Sequence, residues 1–173
     1  MLLSQGLLII FTLLFLAVDF LRLRIHRAKD VFIVLFGSFL RRQEFSALIG
    51  GSYLLLATLL AAFVYEPRVM IAAVSFLAIG DTVAAIVGLS VGRIRFWHKT
   101  VEGTAAGLVS CIGVSYVLSI LPYWSVPLGV GIVGAVTASL VEALPIEVND
   151  NVTVPLVTGL VMQLVLGTHL LGV

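Results

Sequence analysis

Residues 80–107 hold the side chains of this sequence that are best suited to chemistry. They read GDTVAAIVGLSVGRIRFWHKTVEGTAAG, so a carboxylate in an apolar segment is followed by a basic, glycine-punctuated segment. Asp81 has only apolar or small neutral neighbours from Val69 to Gly92. A charged side chain near the middle of a bilayer costs about 2.5–3.5 kcal/mol on insertion scales, so this carboxylate needs a task or a partner. The nearest downstream candidates for a partner are Arg93, Arg95, His98 and Lys99.

Further carboxylates and amides follow in the second half of the chain. They are Glu102, Glu142, Glu147, Asn149, Asp150 and Asn151. Hard oxygen donors suit Mg²⁺, which usually keeps substrate phosphates as further ligands, and Lys and Arg side chains neutralise the remaining phosphate charge. Glycines allow backbone N–H groups to approach such a ligand closely. The combination predicts a site for a magnesium-bound phosphate compound, although G-x-x-x-x-G-K-[ST] is not present.

The composition places these residues in a membrane. Of the 173 residues, 61% are hydrophobic and 11% are charged, and the mean hydropathy is +1.20. A soluble domain of this length does not have such a composition, so we expect an all-α, polytopic integral membrane protein. No composition shift marks a boundary, which predicts one catalytic domain over residues 1–173. The absence of a lysine-rich face argues against nucleic acid as a partner.

Apolar runs predict about six transmembrane helices and one short interfacial helix. The expected spans cover residues 2–20, 45–64, 69–91, 105–121, 126–144 and 152–171. The run Val31–Leu40 is too short to cross the bilayer and has positive residues on both sides, so it is expected to lie in the interface. Asp19 and Arg22 are expected to form an i,i+3 pair at a helix end.

The distribution of positive charge predicts the orientation. With both termini on the outer side, only Arg68 falls outside, and the other arginines and lysines fall on the cytoplasmic side. This asymmetry is what the positive-inside rule expects. It places the 93–104 and 146–151 loops on the same cytoplasmic face, where the expected site would form.

Four motifs in order along residues 41–159 resemble those of a known family. They are Arg41-Arg42-Gln43-Glu44 with Gly50-Gly51, then Gly80-Asp81-Thr82 with Ala85, Gly88 and Gly92, then Lys99-Thr100-Val101-Glu102-Gly103-Thr104, and finally Asp150-Asn151 with Thr153 and Pro155. The chain resembles the CTP-dependent lipid-alcohol kinases, which include dolichol and other polyprenol kinases, phytol kinases and CTP-using diacylglycerol kinases. The Asp81 and Lys99 motifs are also similar to those of phosphatidate cytidylyltransferases.

The resemblance implies transfer of the γ-phosphate of CTP to the hydroxyl of an isoprenoid alcohol, with Mg²⁺ as cofactor, in a lipid bilayer. It implies catalytic roles for Asp81, Lys99 and Glu102, and metal binding by Asp81, Glu102 and Asp150. Asp81 would be a metal ligand or the base for the lipid hydroxyl. The implied nucleotide-binding residues are Thr82, Gly88, Gly92, Arg93, His98, Lys99, Thr100, Gly103, Asp150 and Asn151. The lipid alcohol, the selectivity for CTP over ATP and the oligomeric state, a homodimer included, are left open.

Other interpretations of the same residues stay open. The glycine pairs spaced by four residues also suit close helix packing, and Glu102 also suits a helix start. As functions, a CTP-dependent diacylglycerol kinase, a CDP-lipid synthase that releases pyrophosphate, and a six-helix transporter subunit that consumes no nucleotide remain alternatives. The KTVEG segment has no clear purpose in a transporter.

The predicted topology can be checked by cysteine labelling. Cysteines introduced as Arg95→Cys and Glu147→Cys should react from the same side of the membrane, and Glu66→Cys from the other side, because the two polar loops are predicted on one face. Labelling of positions 95 and 147 from opposite faces would contradict the proposed site.

Overall fold

The computed structural model describes residues 2–37, 42–97, 99–145 and 148–167 of an all-α protein. In chain order, the elements are α1 (Leu2–Arg24), α2 (His26–Phe36), a 3₁₀ turn (Arg42–Phe45), α3 (Gly50–Val64), α4 (Pro67–Ser75), a π-helical segment (Phe76–Asp81), α5 (Thr82–Val91), β1 (Arg95–Phe96), β2 (Lys99–Thr100), α6 (Val101–Ile120), α7 (Leu128–Ala143) and α8 (Asp150–Leu166). The prediction of an all-α membrane protein is confirmed, with one two-residue hairpin added.

Every predicted span corresponds to an apolar helix, but the helices differ in length. Three are long and apolar enough to cross a membrane, namely Leu3–Arg24, Pro67–Val91 and Val101–Ile120. The other apolar helices in the described part of the chain are shorter, namely Gly50–Val64, Leu128–Ala143 and Asp150–Leu166. At 1.5 Å per residue, these shorter helices reach roughly 22–26 Å, slightly less than the hydrocarbon core.

Polar side chains explain why two helices begin elsewhere than predicted. The second span was expected from Phe45, but Glu44 Oε1 accepts the Gly50 N–H at 2.7 Å, and the helix begins at Gly50. The loop predicted at 93–104 ends earlier than expected. The Thr100 hydroxyl accepts the Gly103 N–H at 3.1 Å, which starts α6 at Val101.

The remaining boundaries also shift by a few residues. The short helix predicted at 31–40 is observed at His26–Phe36, and residues 38–40 lie outside the described residues. The last span begins at Asp150 because the Asn149 side chain caps it, accepting the Asn151 N–H at 3.0 Å. Its predicted end, at residue 171, lies beyond the described residues.

The described residues form two compact units, and the first runs to Leu59. Its interior contains the predicted ion pair, since Arg22 Nη2 lies 2.5 Å from Asp19 Oδ1 and both side chains are buried. Asp19 also accepts hydrogen bonds from the Ile49 N–H and the Ser52 hydroxyl. Arg22 donates to backbone carbonyls of the 44–47 turn. The pair is therefore more than the helix-end contact expected from sequence, because it ties α1 to the turn that precedes α3.

The second unit begins at Leu60 and contains the helices around which the site forms. In it, α6 packs against α5 and α7, and α7 packs against α8. The backbones of α5 and α6 approach closely: a Cβ added at Gly103 would lie 2.6 Å from the Ala84 carbonyl oxygen and 3.1 Å from Gly88 Cα. One at Gly107 would lie 3.1 Å from the Gly80 carbonyl oxygen. The glycine spacing thus serves helix packing, as one of the two sequence interpretations expected.

The helix Pro67–Val91 contains a π-helical segment that ends at Asp81. A π-helical segment interrupts the regular hydrogen-bond pattern of an α-helix. Within it, the Phe76 carbonyl accepts a hydrogen bond from the Cys111 thiol at 3.5 Å. Just before the same helix begins, the Tyr65 phenol donates to the Leu156 carbonyl at 2.6 Å. Burial raises the pKa of Tyr65, which keeps the phenol neutral and able to donate. These contacts fix the orientation, about its own axis, of the helix that carries Asp81.

Helix α6 offers a matched pair of glycines for testing the α5–α6 contact. Gly103→Ala should destabilise the protein by about 1–3 kcal/mol, because the new methyl group meets backbone atoms of α5. Gly113→Ala should be neutral or stabilising by up to about 1 kcal/mol, because nothing lies within 4 Å of its Cβ position. Unfolding in detergent measures both. Equal stability of the two variants would contradict the contact.

Candidate active site

A cavity of about 460 Å³ lies among α5, α6, α7 and the hairpin of the second unit. Its lining combines small, apolar and charged side chains. The lining residues are Asp81, Ala84, Ala85, Gly88, Leu89, Arg95, Trp97, Lys99, Thr100, Gly103, Thr104 and Glu142. An apolar cavity with a few convergent polar groups is the usual form of a small-molecule site.

One face of the helix that ends at Val91 forms a long wall of the cavity. Asp81, Ala84, Ala85, Gly88 and Leu89 follow the i, i+3, i+4, i+7, i+8 pattern, which places them on one side of a helix. The opposite wall is the first turns of α6, whose glycine lets the two backbones approach. Asp81 therefore lies at one end of a narrow strip of small residues and Leu89 lies at the other.

The hairpin brings the basic residues to the cavity. Its strands pair antiparallel, with Arg95 opposite Thr100 and Phe96 opposite Lys99. Trp97 begins the turn with φ +47°, a conformation that is costly for a bulky residue. This turn directs the segment so that Arg95, Trp97 and Lys99 all line the cavity. His98, predicted to bind nucleotide, lies outside the described residues.

Lys99 is held by two carboxylates from different helices. Its Nζ lies 2.7 Å from Glu142 Oε1 and 3.7 Å from Asp150 Oδ2. Glu142 is the more enclosed partner, since 11% of its side chain is exposed, against 40% for Asp150. The predicted Lys99 and Asp150 are thus brought together. The ion pair offsets part of the cost of keeping Glu142 among apolar helices.

Asp81 contributes a second carboxylate to the same cavity. Within the described residues, no hydrogen bond or salt bridge reaches its carboxylate, and its charge interacts with that of Glu142. Lys99 is therefore the counter-charge of Glu142 and Asp150, and it makes no ion pair with Asp81. An intramembrane carboxylate without a close cation is expected to have a functional ligand.

Glu102 lies outside the cavity lining, although it was predicted as a catalytic and metal-binding residue. Both of its carboxylate oxygens accept the Ile94 N–H at 3.2 Å, and its charge interacts with that of Arg93. Arg93 is exposed, and neither it nor Gly92 lines the cavity. At Gly92 a Cβ would meet the Gly88 carbonyl oxygen, so this glycine permits the chain to turn away from α5.

Two further predicted nucleotide-binding residues have local contacts. The Thr82 hydroxyl donates to the Ala78 carbonyl at 2.7 Å, and Thr82 is exposed outside the cavity lining. The Asn151 N–H belongs to the cap of α8. The structure therefore gathers Asp81, Lys99, Thr100, Gly88 and Gly103 at the cavity, with Asp150 beside Lys99.

The donor set is compatible with one Mg²⁺ ion that shares a phosphate ligand. Among the described residues, no three of the His, Cys, Asp and Glu side chains form a group that could by itself hold a metal. Mg²⁺ is usually bound by one or two carboxylates together with waters and substrate phosphates, so a complete protein cage is not required. Asp81 and Glu142 present such oxygens in the cavity, whereas the Glu102 carboxylate is occupied by the backbone.

Glu142 was among the carboxylates expected near the site, but the family resemblance assigned it no role. Its position in an apolar helix was a signal, since intramembrane carboxylates are usually functional. However, 43 residues separate it from Lys99, and no local motif connects them. Arg95 was considered only as a partner for Asp81 and Trp97 was not singled out, because their contribution to the cavity depends on the hairpin turn.

The chain is similar to proteins named as lipid-alcohol kinases. It is 33% identical over 142 residues to "Probable phytol kinase 3, chloroplastic" of Glycine max, which covers 73% of this chain and 44% of that protein. It is 43% identical over 89 residues to "Dolichol kinase EVAN" of Arabidopsis thaliana, covering 47% of this chain and 16% of that protein. The chain thus spans less than half the length of these two relatives.

A bacterial relative extends over more of its own length. An uncharacterized protein of Rickettsia prowazekii (strain Madrid E) is 25% identical over 155 residues, which cover 87% of this chain and 76% of that protein. No family model matches the chain. No solved structure matches it.

The Lys99–Glu142 pair should couple energetically. A double-mutant cycle with Lys99→Met and Glu142→Gln should give an interaction of about 1–3 kcal/mol in detergent unfolding, because the pair is enclosed. The same cycle with Arg68→Met and Glu66→Gln serves as the control. That pair has the same 2.7 Å separation but side chains that are 36% and 26% exposed, so its coupling should be below about 1 kcal/mol. Equal coupling energies in the two cycles would contradict the conclusion that the Lys99–Glu142 pair is enclosed.

Proposed function

We propose that this protein is a CTP-dependent kinase of isoprenoid alcohols. The observation that carries the proposal is the cavity in which the Asp81 carboxylate and the Lys99 ammonium converge within an apolar helical bundle. Similarity to proteins named phytol kinase and dolichol kinase supports the same substrate class. A hydroxyl on an apolar chain suits a site whose acidic group lies between membrane helices.

The proposed reaction is phosphoryl transfer from CTP to the alcohol. The alcohol oxygen forms a bond to the γ-phosphorus, the bond from that phosphorus to the β–γ bridging oxygen breaks, and CDP leaves with that electron pair. The proton of the hydroxyl passes to the Asp81 carboxylate. Because such reactions depend mainly on positioning and on neutralising charge, the protein needs few reacting groups of its own.

The cations of the hairpin would bind the nucleotide phosphates. Lys99 Nζ can exchange part of its contact with Glu142 and Asp150 for phosphate oxygens, and Arg95 lines the same cavity. The adjacent N-terminus of α6 adds the positive end of a helix dipole, which favours an anion there. Thr100 and Gly103 shape this end, since the Thr100 hydroxyl caps the helix through the Gly103 N–H.

Mg²⁺ would complete the charge balance of the site. Glu142 and Asp150, the two carboxylates beside Lys99, would hold it, which leaves Asp81 as the base. When bound, the ion would neutralise charge on the β- and γ-phosphates and orient them. Glu102, by accepting the Ile94 N–H, would keep the 92–94 turn and the hairpin in place.

The main competing function is transfer of the cytidylyl group, with release of pyrophosphate. A single assay separates the two: purified protein, Mg²⁺ and labelled CTP with geranylgeraniol, phytol, polyprenol, diacylglycerol or phosphatidate. A phosphorylated isoprenoid alcohol with CDP supports the proposal. Phosphorylated diacylglycerol, or a CDP-lipid with pyrophosphate, would replace it, and no turnover of CTP with any acceptor would contradict an enzyme of this kind.

Asp81→Asn tests the carboxylate itself. The amide keeps the size of the side chain, so the protein should insert and fold while turnover falls by about 10²-fold or more, the usual loss for a general base or charge-stabilising group. Melting temperature and phosphoryl transfer should be measured on one preparation. Glu66→Gln, outside the cavity lining, is the matched control and should keep activity. Near wild-type turnover of Asp81→Asn would refute the assignment.

Lys99→Met tests the proposed phosphate contact. An ammonium that touches phosphate in both the ground state and the transition state contributes mainly uniform binding, so its loss should raise KM for CTP more than it lowers kcat. Steady-state kinetics over a range of CTP concentrations provides the measurement. A fall in kcat with unchanged KM would assign Lys99 to the transition state alone.

A further inference from the structure

The cavity has an opening on the side of a membrane-spanning helix. Two of its lining residues on α5, Ala85 and Leu89, are exposed, and Leu89 is 89% exposed. A side chain that lines a cavity and is also exposed lies at the mouth of that cavity. The helix Pro67–Val91 is long and apolar enough to span the membrane, so its exposed face meets lipid. The mouth formed by these residues is called the lateral opening below.

The polar groups of the cavity lie towards its two ends, along the helix Pro67–Val91. Asp81 and Leu89 are eight positions apart in the sequence, which corresponds to about 12 Å along a helix at 1.5 Å per residue. Leu89 lies close to the helix end at Val91, and the hairpin with Arg95 and Trp97 follows directly. Asp81 is therefore the deep group, and the hairpin residues lie at the end nearest the membrane boundary. Trp97 is 63% exposed there, as aromatic residues at bilayer interfaces commonly are.

The strip between these ends is formed by small residues. Ala84 and Ala85 carry only methyl groups, and Gly88 has no side chain. Ala84 and Gly88 face the backbone of α6, and Ala85, exposed beside them, lines the cavity between Leu89 and Asp81 as a passage from the exposed face of α5. A single hydrocarbon chain is narrow enough for such a strip, whereas a phosphate-bearing group would have to leave water to pass the apolar face.

We infer that the acceptor alcohol enters sideways from the bilayer through the lateral opening, while the nucleotide enters from water over the hairpin. The inference rests on the proposed function and names the access route and the residue that limits it. Ala85 is that residue, because it is exposed at the mouth and lines the passage. The isoprenoid chain would remain in contact with lipid beside Leu89 as its hydroxyl reaches Asp81. Separate entries keep the two substrates from competing for one path.

Ala85→Phe should close the lateral opening, and Ile86→Phe is the matched control. Ile86 is the next residue on α5 and is 60% exposed, but it does not line the cavity. With a long isoprenoid alcohol in vesicles, Ala85→Phe should lower kcat/KM by about tenfold or more, the range expected when extra bulk obstructs an apolar site. Ile86→Phe should stay within about twofold. Equal effects of the two variants, or no effect of Ala85→Phe, would overturn the inference.

A binding measurement separates the route from the reaction. A diazirine-bearing isoprenoid alcohol in vesicles should crosslink to the α5 peptide that contains Ala85 and Leu89, and unlabelled alcohol should compete. The crosslink should be lost in Ala85→Phe and kept in Ile86→Phe. If the crosslink follows this pattern but no alcohol is phosphorylated, the proposed function fails and the route stands. Equal crosslinking by a diazirine phospholipid would show ordinary bilayer contact and overturn the route.

The variants also need a control for folding. The melting temperature of Ala85→Phe in detergent should match that of Ile86→Phe, and CTP should raise both by the same amount, because the nucleotide uses the other entry. If Ala85→Phe does not fold, the smaller Ala85→Leu substitution replaces it and should show a weaker loss in the same direction. Loss of CTP stabilisation with retained alcohol crosslinking would contradict separate entries.

Discussion

The close approach of α5 and α6 is the constraint on which the rest of the site depends. Gly103 lies so near Ala84 and Gly88 that a methyl group at this position would meet backbone atoms. This contact sets the wall carrying Asp81 opposite the first turns of α6, directly after the strand that carries Lys99. Because the approach is made by glycines, the space beside it is narrow and bounded by small residues. A wider helix separation would leave the acidic and basic groups too far apart to act on one ligand.

The charges inside the bundle depend on one another. Glu142 and Asp81 are carboxylates in apolar helices, and Lys99 is the ammonium that meets Glu142 at 2.7 Å. Removing one member of such a set leaves an uncompensated charge in a medium that solvates it poorly. The same arrangement gives the cavity its proposed chemistry, since the ammonium can turn to phosphate when a metal ion compensates the carboxylates. Stability and proposed function thus place similar demands on these residues, and activity must be measured together with folding.

The first unit is stabilised by a comparable ion pair in apolar surroundings. Asp19 and Arg22 are buried together and satisfy backbone groups of the turn before α3, which a helix-end ion pair exposed to water would not do. The sequence predicted the pair from its i,i+3 spacing. The burial could not be predicted, because it results from the 44–52 segment folding against α1. In both units, therefore, polar residues in apolar surroundings are stabilised by partners distant in sequence.

The sequence by itself determined the class of the fold and part of the site. Long apolar runs require helices in a bilayer, because only hydrogen bonds within the segment satisfy the backbone there. The improbability of a lone intramembrane carboxylate was sufficient to single out Asp81, and the motif order singled out Lys99. Only the tertiary structure placed Glu142 against Lys99, directed the Glu102 carboxylate to the Ile94 N–H, and opened the cavity beside Leu89. These features follow from the packing of α5, α6 and α7 and from the hairpin turn at Trp97, and periodicity along one segment contains no information on which faces of different helices meet.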